Sequence, residues 1–185
     1  MAEVWLDTNR RALGMGLVLP GSIAALGLAA VAYSFWSRQH WGLQLVLVVV
    51  TAVALWMVGE LLYALRCPRV AYDDGELLVY LEPTRPTRLP VEIVECFFLG
   101  MGDSELPALD GAPPKTRNVV IRLAERAQEW RAGPVRPQFG QWSDGYITLR
   151  GTWCQPLTPQ LLKDLNHKLA TVQRQRRRVH EEEVA

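Results

Sequence analysis

Two long apolar runs, separated by only four residues, constrain this chain more than any other feature of its sequence. The first covers residues 12–36 and the second covers residues 41–65. Each is longer than the roughly 20 residues that cross the hydrocarbon core of a bilayer. A cleaved signal peptide has a shorter apolar core, roughly 7 to 15 residues long. The sequence therefore predicts a transmembrane helical hairpin over residues 12–65.

The basic residues around the hairpin predict its orientation. Arg10 and Arg11 precede the first apolar run, Arg66 and Arg69 follow the second, and Arg38 lies in the connector. Because positive residues are enriched in cytoplasmic segments, both termini are expected in the cytoplasm. The chain is then a multi-pass membrane protein whose short connector lies on the opposite side.

Small residues recur at every fourth position of the first run, at Gly21, Ala25 and Ala29. Such a stripe lets another helix approach closely, either the second helix of the hairpin or a further copy of the chain. Glu60 is the one acidic residue within the runs. It is open to two interpretations. The first is structural, an ion pair with Arg10 or Arg11 or a snorkelled side chain, and the second is functional, an ion or proton role or a polar contact with a partner subunit.

The rest of the chain has the composition of an ordinary folded domain. Residues 1–11 are predicted to be a cytoplasmic segment, residues 66–178 a folded domain and residues 179–185 a charged tail. The whole chain has 20 Lys and Arg against 19 Asp and Glu, which gives no net basic field for binding nucleic acid. The three cysteines are too few and too scattered for a disulfide framework or a paired metal site, as expected in a reducing compartment.

Beyond Arg66 the pattern changes to the alternation that is typical of short antiparallel strands. An Asp-Gly turn at residues 73–75 separates the first two strands, which is a strong hairpin signal. A C-terminal helix is expected to begin with Thr158 as N-cap and Pro159 at its first position. The predicted strands cover residues 69–72, 76–81, 87–99, 117–123 and 146–152. The apolar face of the helix comprises Leu161, Leu162, Leu165, Leu169 and Val172.

Two Gly- and Pro-rich loops are predicted, at residues 102–116 and 132–144. The second carries Phe139 and Trp142, which could contact lipid or a partner or could fold back over the core. A basic cluster near the end of the last helix could bind anionic lipid or form a solvated helix end. This cluster consists of Arg174, Arg176, Arg177 and Arg178.

No pattern of catalytic or metal-ligating residues emerges from the sequence. His40, His167 and His180 lie in different segments, so no two share one element at a metal-binding spacing. Nucleophile-elbow, zinc-protease and phosphate-loop motifs are missing. We therefore expect a protein that is not an enzyme and carries no cofactor or metal.

The order of these parts resembles the bacterial pleckstrin-homology-like membrane proteins. The resemblance lies in residues 73–77, in residues 89–94 entering a strand, and in residues 146–151 leading to the last helix. It implies a membrane α-hairpin joined to an α+β domain, in which a split β-barrel of short antiparallel strands is capped by the C-terminal amphipathic helix. It also implies a non-catalytic binding or assembly module at the bacterial inner membrane. Asp73, Asp74 and Glu76 depart from the basic first hairpin with which eukaryotic relatives bind phosphoinositides.

Three functions follow as hypotheses. The first is a membrane-anchored binding or scaffold module that meets a protein partner through an exposed sheet edge or its long loops. The second is an accessory subunit of a transporter or other membrane complex, in which the helices make the contacts. The third is an anionic-lipid-binding module that uses the basic cluster. Membrane lipids, an unknown protein partner and a second copy of the chain are the expected partners, and nucleic acid is not.

Overall fold

The computed structural model describes residues 2–37, 40–82, 85–103, 115–130, 133, 135, 137 and 139–184. Residues 180–184 are described by their backbone alone. Most of the first predicted long loop, at residues 104–114, and connector residue Arg38 lie outside the described residues. The chain divides into two compact units, one formed by Arg10–Arg66 and the other by Met1–Asn9 together with Cys67–Ala185.

The unit Arg10–Arg66 is a pair of helices, α1 (Arg10–Trp36) and α2 (Trp41–Arg66). Both are long enough and apolar enough to cross a membrane, as the two apolar runs predicted. They pack closely at Gly27, where an added Cβ would collide with the Thr51 side chain. Glycine at this position therefore sets how near the two helices approach.

The other unit contains two separate four-stranded antiparallel sheets. Pairing among the described residues does not close them into one barrel. The first sheet has the order β1-β2-β3-β4, and the second has the order β5-β6-β8-β7. The strands are β1 (Glu3–Leu6), β2 (Val70–Asp73), β3 (Glu76–Val79), β4 (Thr87–Pro90), β5 (Val94–Asp103), β6 (Lys115–Leu123), β7 (Gly140–Ser143) and β8 (Tyr146–Leu149).

The first predicted hairpin forms as expected. Asp74 and Gly75 have φ angles of 42° and 83°, and two positive φ angles in succession are typical of the tight turn that suits twisted antiparallel strands. On β6, Val119, Ile121 and Leu123 are buried, as the alternation predicted. The sequence pattern therefore gave both the turn and the inward face of these strands correctly.

Strand ends differ from the sequence prediction by up to three residues, and four differences are larger. Residues 1–11 are not a separate segment, because they contain β1, which pairs with β2. The single strand expected at residues 87–99 is two strands, since a 3-10 turn follows Pro90 and proline cannot donate to a ladder. Strand β7 lies within the predicted loop at residues 132–144. The last helix, α3 (Pro159–Val184), continues through most of the predicted tail.

The core lies between the two sheets and under α3. Thr158 caps this helix, since its hydroxyl accepts a hydrogen bond from the Leu161 N–H at 3.2 Å. Leu162, Leu165 and Leu169 of α3 are buried in the same apolar cluster as the inward side chains of the strands. Burial of each leucine contributes roughly 1.5 to 3 kcal/mol, which explains why the helix packs on the strands.

Candidate functional site

The ten-residue strand β5 has one edge paired and one edge largely open. It pairs with β6 over its whole length. On its other edge, Phe97 donates its N–H to the Asn166 side-chain oxygen and accepts a hydrogen bond from the same amide group, both at 2.8 Å. Asn166 therefore occupies the position that a residue of a neighbouring strand would take. The backbone groups of Phe97 thus point away from β6.

The direction of the Phe97 groups determines the direction for the rest of the strand. In an antiparallel pair, successive residues alternate between pointing their N–H and C=O groups at the partner and away from it. Leu99 and Met101 therefore point outward, as Phe97 does. Among the described residues, no group bonds to these outward N–H and C=O groups. Beyond Asn166, β5 thus offers an unpaired edge of the kind that pairs with another strand.

The side chains along this edge are apolar or lacking. Met101 is 74% exposed and Phe98 is 40% exposed, which is unusual for large apolar residues in the folded unit. Gly100 lies between them and Gly102 follows Met101. An added Cβ on Gly100 would lie 2.8 Å from Val120 Cγ2, and one on Gly102 would lie 2.5 Å from Asn118 Nδ2. The edge therefore carries no bulky charged side chain from Phe98 to Gly102.

The outer edge of β6 is closed in this region, unlike that of β5. Asn118 is buried and its side-chain oxygen accepts a hydrogen bond from the Gly151 N–H at 3.0 Å. A Cβ on Gly151 would collide with the Arg117 carbonyl. The segment after β8 therefore covers β6 here, whereas no described residue bonds to the outward groups of Leu99 and Met101 on β5.

Trp142 is not the exposed contact that the sequence allowed. It lies on β7, is 7% exposed, stacks on Trp130 and donates its indole N–H to the Trp130 carbonyl at 3.0 Å. The alternation of β7 turns this residue into the core, which the Gly- and Pro-rich surroundings concealed. It therefore has a structural role and does not provide a partner surface.

Phe139 is half-buried and packs against the buried Arg69, a contact that the sequence did not reveal. Its ring contacts Trp153 edge-on and lies under the Arg69 guanidinium, whose central carbon is 4.7 Å from the ring centre. Arg69 is buried, donates its Nε–H to the Trp153 carbonyl at 3.1 Å, and has a second nitrogen with no hydrogen-bond partner among the described residues. Burial lowers the pKa of Arg69. Burial also raises the pKa of the neighbouring Cys154 thiol to about 12.

All four arginines of the basic cluster on α3 are exposed, and Arg176 differs from the others in its contacts. Arg176 donates to the Asp74 carbonyl at 2.7 Å and lies 3.4 Å from Glu92. It thereby fastens α3 to the first hairpin turn. The other three arginines of the cluster are Arg174, Arg177 and Arg178.

The small-residue stripe does not lie in the contact between α1 and α2. Ala25 and Ala29 are exposed and Gly21 is half-buried with open space around it, whereas Ala24 is buried. A shift of one residue turns a helix face by about 100°, which is why the packing interpretation selected the wrong face. Glu60 is exposed on α2, and both interpretations of this residue stay predictions.

The described residues contain no group of three or more His, Cys, Asp or Glu side chains that could hold a metal ion. A comparison of the chain with family models, with curated proteins and with solved structures gives no match.

Proposed function

We propose that this chain is a membrane-anchored, non-catalytic binding module that presents a pleckstrin-homology-like split barrel at the cytoplasmic face of a bacterial inner membrane. One observation carries this proposal. The two apolar helices are inserted between adjacent paired strands, since Leu6 at the end of β1 is paired with Val70 at the start of β2. The Arg69 N–H also donates to the Leu6 carbonyl at 2.8 Å.

This insertion favours two crossings of the membrane. Strands β1 and β2 belong to one folded sheet, so the segments before and after the helices must lie on the same side of any bilayer. A chain that leaves and re-enters one sheet crosses an even number of times. With basic residues at Arg10, Arg11 and Arg66, the positive-inside bias assigns that side to the cytoplasm.

The arrangement of strands and helix supports the proposed split barrel. Helix α3 bonds to an edge strand of each sheet, through Lys168 to Glu3 on β1 at 2.6 Å and through Asn166 to Phe97 on β5. A terminal helix that packs against both sheets would cap such a barrel. The resemblance of the sequence to pleckstrin-homology-like membrane proteins points in the same direction.

A protein partner fits this domain better than an anionic head group. The first hairpin turn carries Asp73, Asp74 and Glu76, and like charges would repel a phosphate there. The nearby guanidiniums are already paired, Arg88 with Glu76 at 3.0 Å and Arg176 with Glu92 at 3.4 Å. The open edge of β5 is the surface that we assign to the partner.

The anchorage and its orientation can be tested with one added cysteine at a time in a Cys96→Ser background, in which the buried Cys67 and Cys154 remain. Ser37→Cys marks the connector and Gln141→Cys marks an exposed position of β7. We expect a membrane-impermeant maleimide to label Ser37→Cys in intact bacteria, and to label Gln141→Cys only after lysis. Full-length protein should resist extraction from membranes by alkaline carbonate. Extraction into the soluble fraction would refute the anchor, and the reverse labelling pattern would refute the orientation.

A second candidate, an accessory subunit that assembles through its helices, is favoured by the exposed position of Ala25 and Ala29 on α1. Small residues on an outward helix face allow close packing of a further helix. Ala25→Leu should then dissociate the native membrane complex, whereas a binding module that acts through β5 should keep its partner. The size of the detergent-extracted complex distinguishes the two.

A further inference from the structure

We propose that the open edge of β5 pairs in antiparallel fashion with the same edge of a second copy of this chain, with Met101 on the two-fold axis. This inference deepens the proposed binding function, on which it rests, and names the partner of the same edge.

The backbone groups of β5 suit this symmetric register. When Met101 lies opposite Met101 of the second copy, Leu99 lies opposite Asp103 of that copy. By symmetry, Asp103 of the first copy lies opposite Leu99 of the second. All three positions point their N–H and C=O groups outward by the alternation described above, so each pair exchanges two hydrogen bonds. The register ends before Phe97, whose outward groups Asn166 already engages. The strand therefore offers its unpaired groups without displacing α3.

The side chains also suit a second copy. On one face, the two Met101 side chains meet, and each is 74% exposed in the single chain. On the other face, Gly100 lies opposite Gly102 of the second copy, so no side chains collide there. From Phe98 to Gly102 the strand has no charged residue, so self-pairing brings no like charges together directly across the new strand pair.

Membrane anchorage strengthens the case for a second copy over an unrelated strand. Copies that share one bilayer are confined to a surface, which raises their effective concentration. A two-fold axis is the commonest symmetry of homo-oligomers, and it requires a surface that is complementary to itself. An antiparallel strand edge centred on one residue fulfils that requirement.

The test uses full-length protein in its membrane, with Cys96→Ser as background. In a hydrogen-bonded antiparallel pair, opposite Cα atoms are about 5.5 Å apart, which lies within the range that a disulfide spans. Met101→Cys should therefore form a disulfide-linked dimer under mild oxidation. Arg117→Cys is the matched control, because Arg117 is exposed and lies directly opposite Met101 on β6. Three strand spacings, roughly 14 Å, would separate the two copies of Arg117.

A pair of variants without new cysteines tests the hydrogen bonds. Met101→Pro removes the outward N–H in both copies, whereas Met101→Ala keeps it and removes most of the side chain. We expect Met101→Pro to weaken dimerisation in mild detergent at least tenfold, and to weaken it more than Met101→Ala does. Sedimentation across a concentration series measures this difference.

Equal dimer yields from Met101→Cys and Arg117→Cys, or no dimer from either, would overturn self-pairing. A Met101→Cys crosslink to a different protein would also overturn it, but would leave the binding module of the proposed function standing. Carbonate extraction of the same variants separates these outcomes from failure of the anchor. If the variants stay in the membrane while no dimer forms, self-pairing alone is refuted.

Discussion

Proline at two neighbouring positions of β5 should have very different effects on stability, because the two backbone N–H groups point in opposite directions. At Met101 the N–H points outward, so Met101→Pro breaks no bond to β6. At Gly102 the N–H points towards Thr116 of β6, so Gly102→Pro removes a ladder hydrogen bond. Proline is tolerated at strand edges for this reason and is excluded from paired positions.

The expected magnitudes follow from the contacts. For monomeric protein in detergent, Met101→Pro should lower the free energy of unfolding by less than about 1 kcal/mol. Gly102→Pro loses a hydrogen bond, worth about 1 kcal/mol, and adds atoms where a Cβ already lies 2.5 Å from Asn118 Nδ2. Overpacking of this kind costs roughly 1 to 3 kcal/mol. Together these effects predict a loss of about 2 to 4 kcal/mol.

A native thiol provides the assay for this comparison. Cys154 is 1% exposed, so a maleimide should reach it only after the folded unit opens. Labelling of the Cys154 peptide across a urea series, quantified by mass spectrometry, gives the unfolding midpoint of each variant. Equal losses of stability in Met101→Pro and Gly102→Pro would refute the assignment of an outward, open edge to β5.

Three further predictions concern other parts of the chain. Gly27→Val should lower the free energy of unfolding of the helix pair, measured by thermal denaturation in detergent, by about 1 kcal/mol or more, which is the cost of overpacking. Ala25→Val on the exposed face should leave this free energy unchanged. Because burial raises the pKa of Cys154 from 9.0 to about 12, the unfolded chain loses this proton at lower pH than the native chain. The free energy of unfolding, measured by tryptophan fluorescence across a urea series, should therefore fall as pH rises above about 9, by up to roughly 1.4 kcal/mol per pH unit, and the fall should be smaller in Cys154→Ala. Arg69→Met should cost less than about 1 kcal/mol in the same urea assay. Within the part of the chain that the structure describes, one Arg69 nitrogen is buried without a hydrogen-bond partner, and the Trp153 carbonyl keeps two other donors at 3.0 and 3.2 Å. A loss above about 3 kcal/mol, the cost of breaking a buried pair, would contradict this.

The parts of the fold that the sequence predicted are those that depend on local patterns. The two long helices follow from the length of the apolar runs, and the β2–β3 hairpin follows from Asp74 and Gly75 at a turn that needs positive φ angles. Strand β1 has no such signal, because its four residues become a strand only by pairing with β2, more than sixty positions along the chain. Strand β7 was missed for another reason, because its flanks are rich in Gly and Pro and predicted a loop.

The candidate site was predicted only as a class, an exposed sheet edge, and could not be placed on β5 from the sequence. The register of β5 and β6 shifts between Val94 and Cys96. An extra residue in one strand inverts which of the following backbone groups face the partner. Whether the N–H of Met101 points inward or outward therefore depends on a bulge that no residue pattern identifies. The Asn166 side chain reveals the direction only once α3 is packed against the strand.

The insertion of the two helices between β1 and β2 determines which piece of the chain can fold as a domain. A fragment that begins after α2 would lack β1, and would expose the edge of β2 and the buried positions that Trp5 and Leu6 fill in the core. Loss of the Leu6 side chain alone would cost roughly 2 to 5 kcal/mol, which is a large fraction of the stability of a small domain. Residues 67–185 alone are therefore a poor substitute for the whole chain in binding experiments.

A version of the protein in which a short turn between β1 and β2 replaces the two helices should instead retain the native sheet, because adjacent antiparallel strands need only a tight connection. Protection of the Cys154 thiol in that version, and its loss in the fragment, would show that the domain needs β1 but folds without the helices.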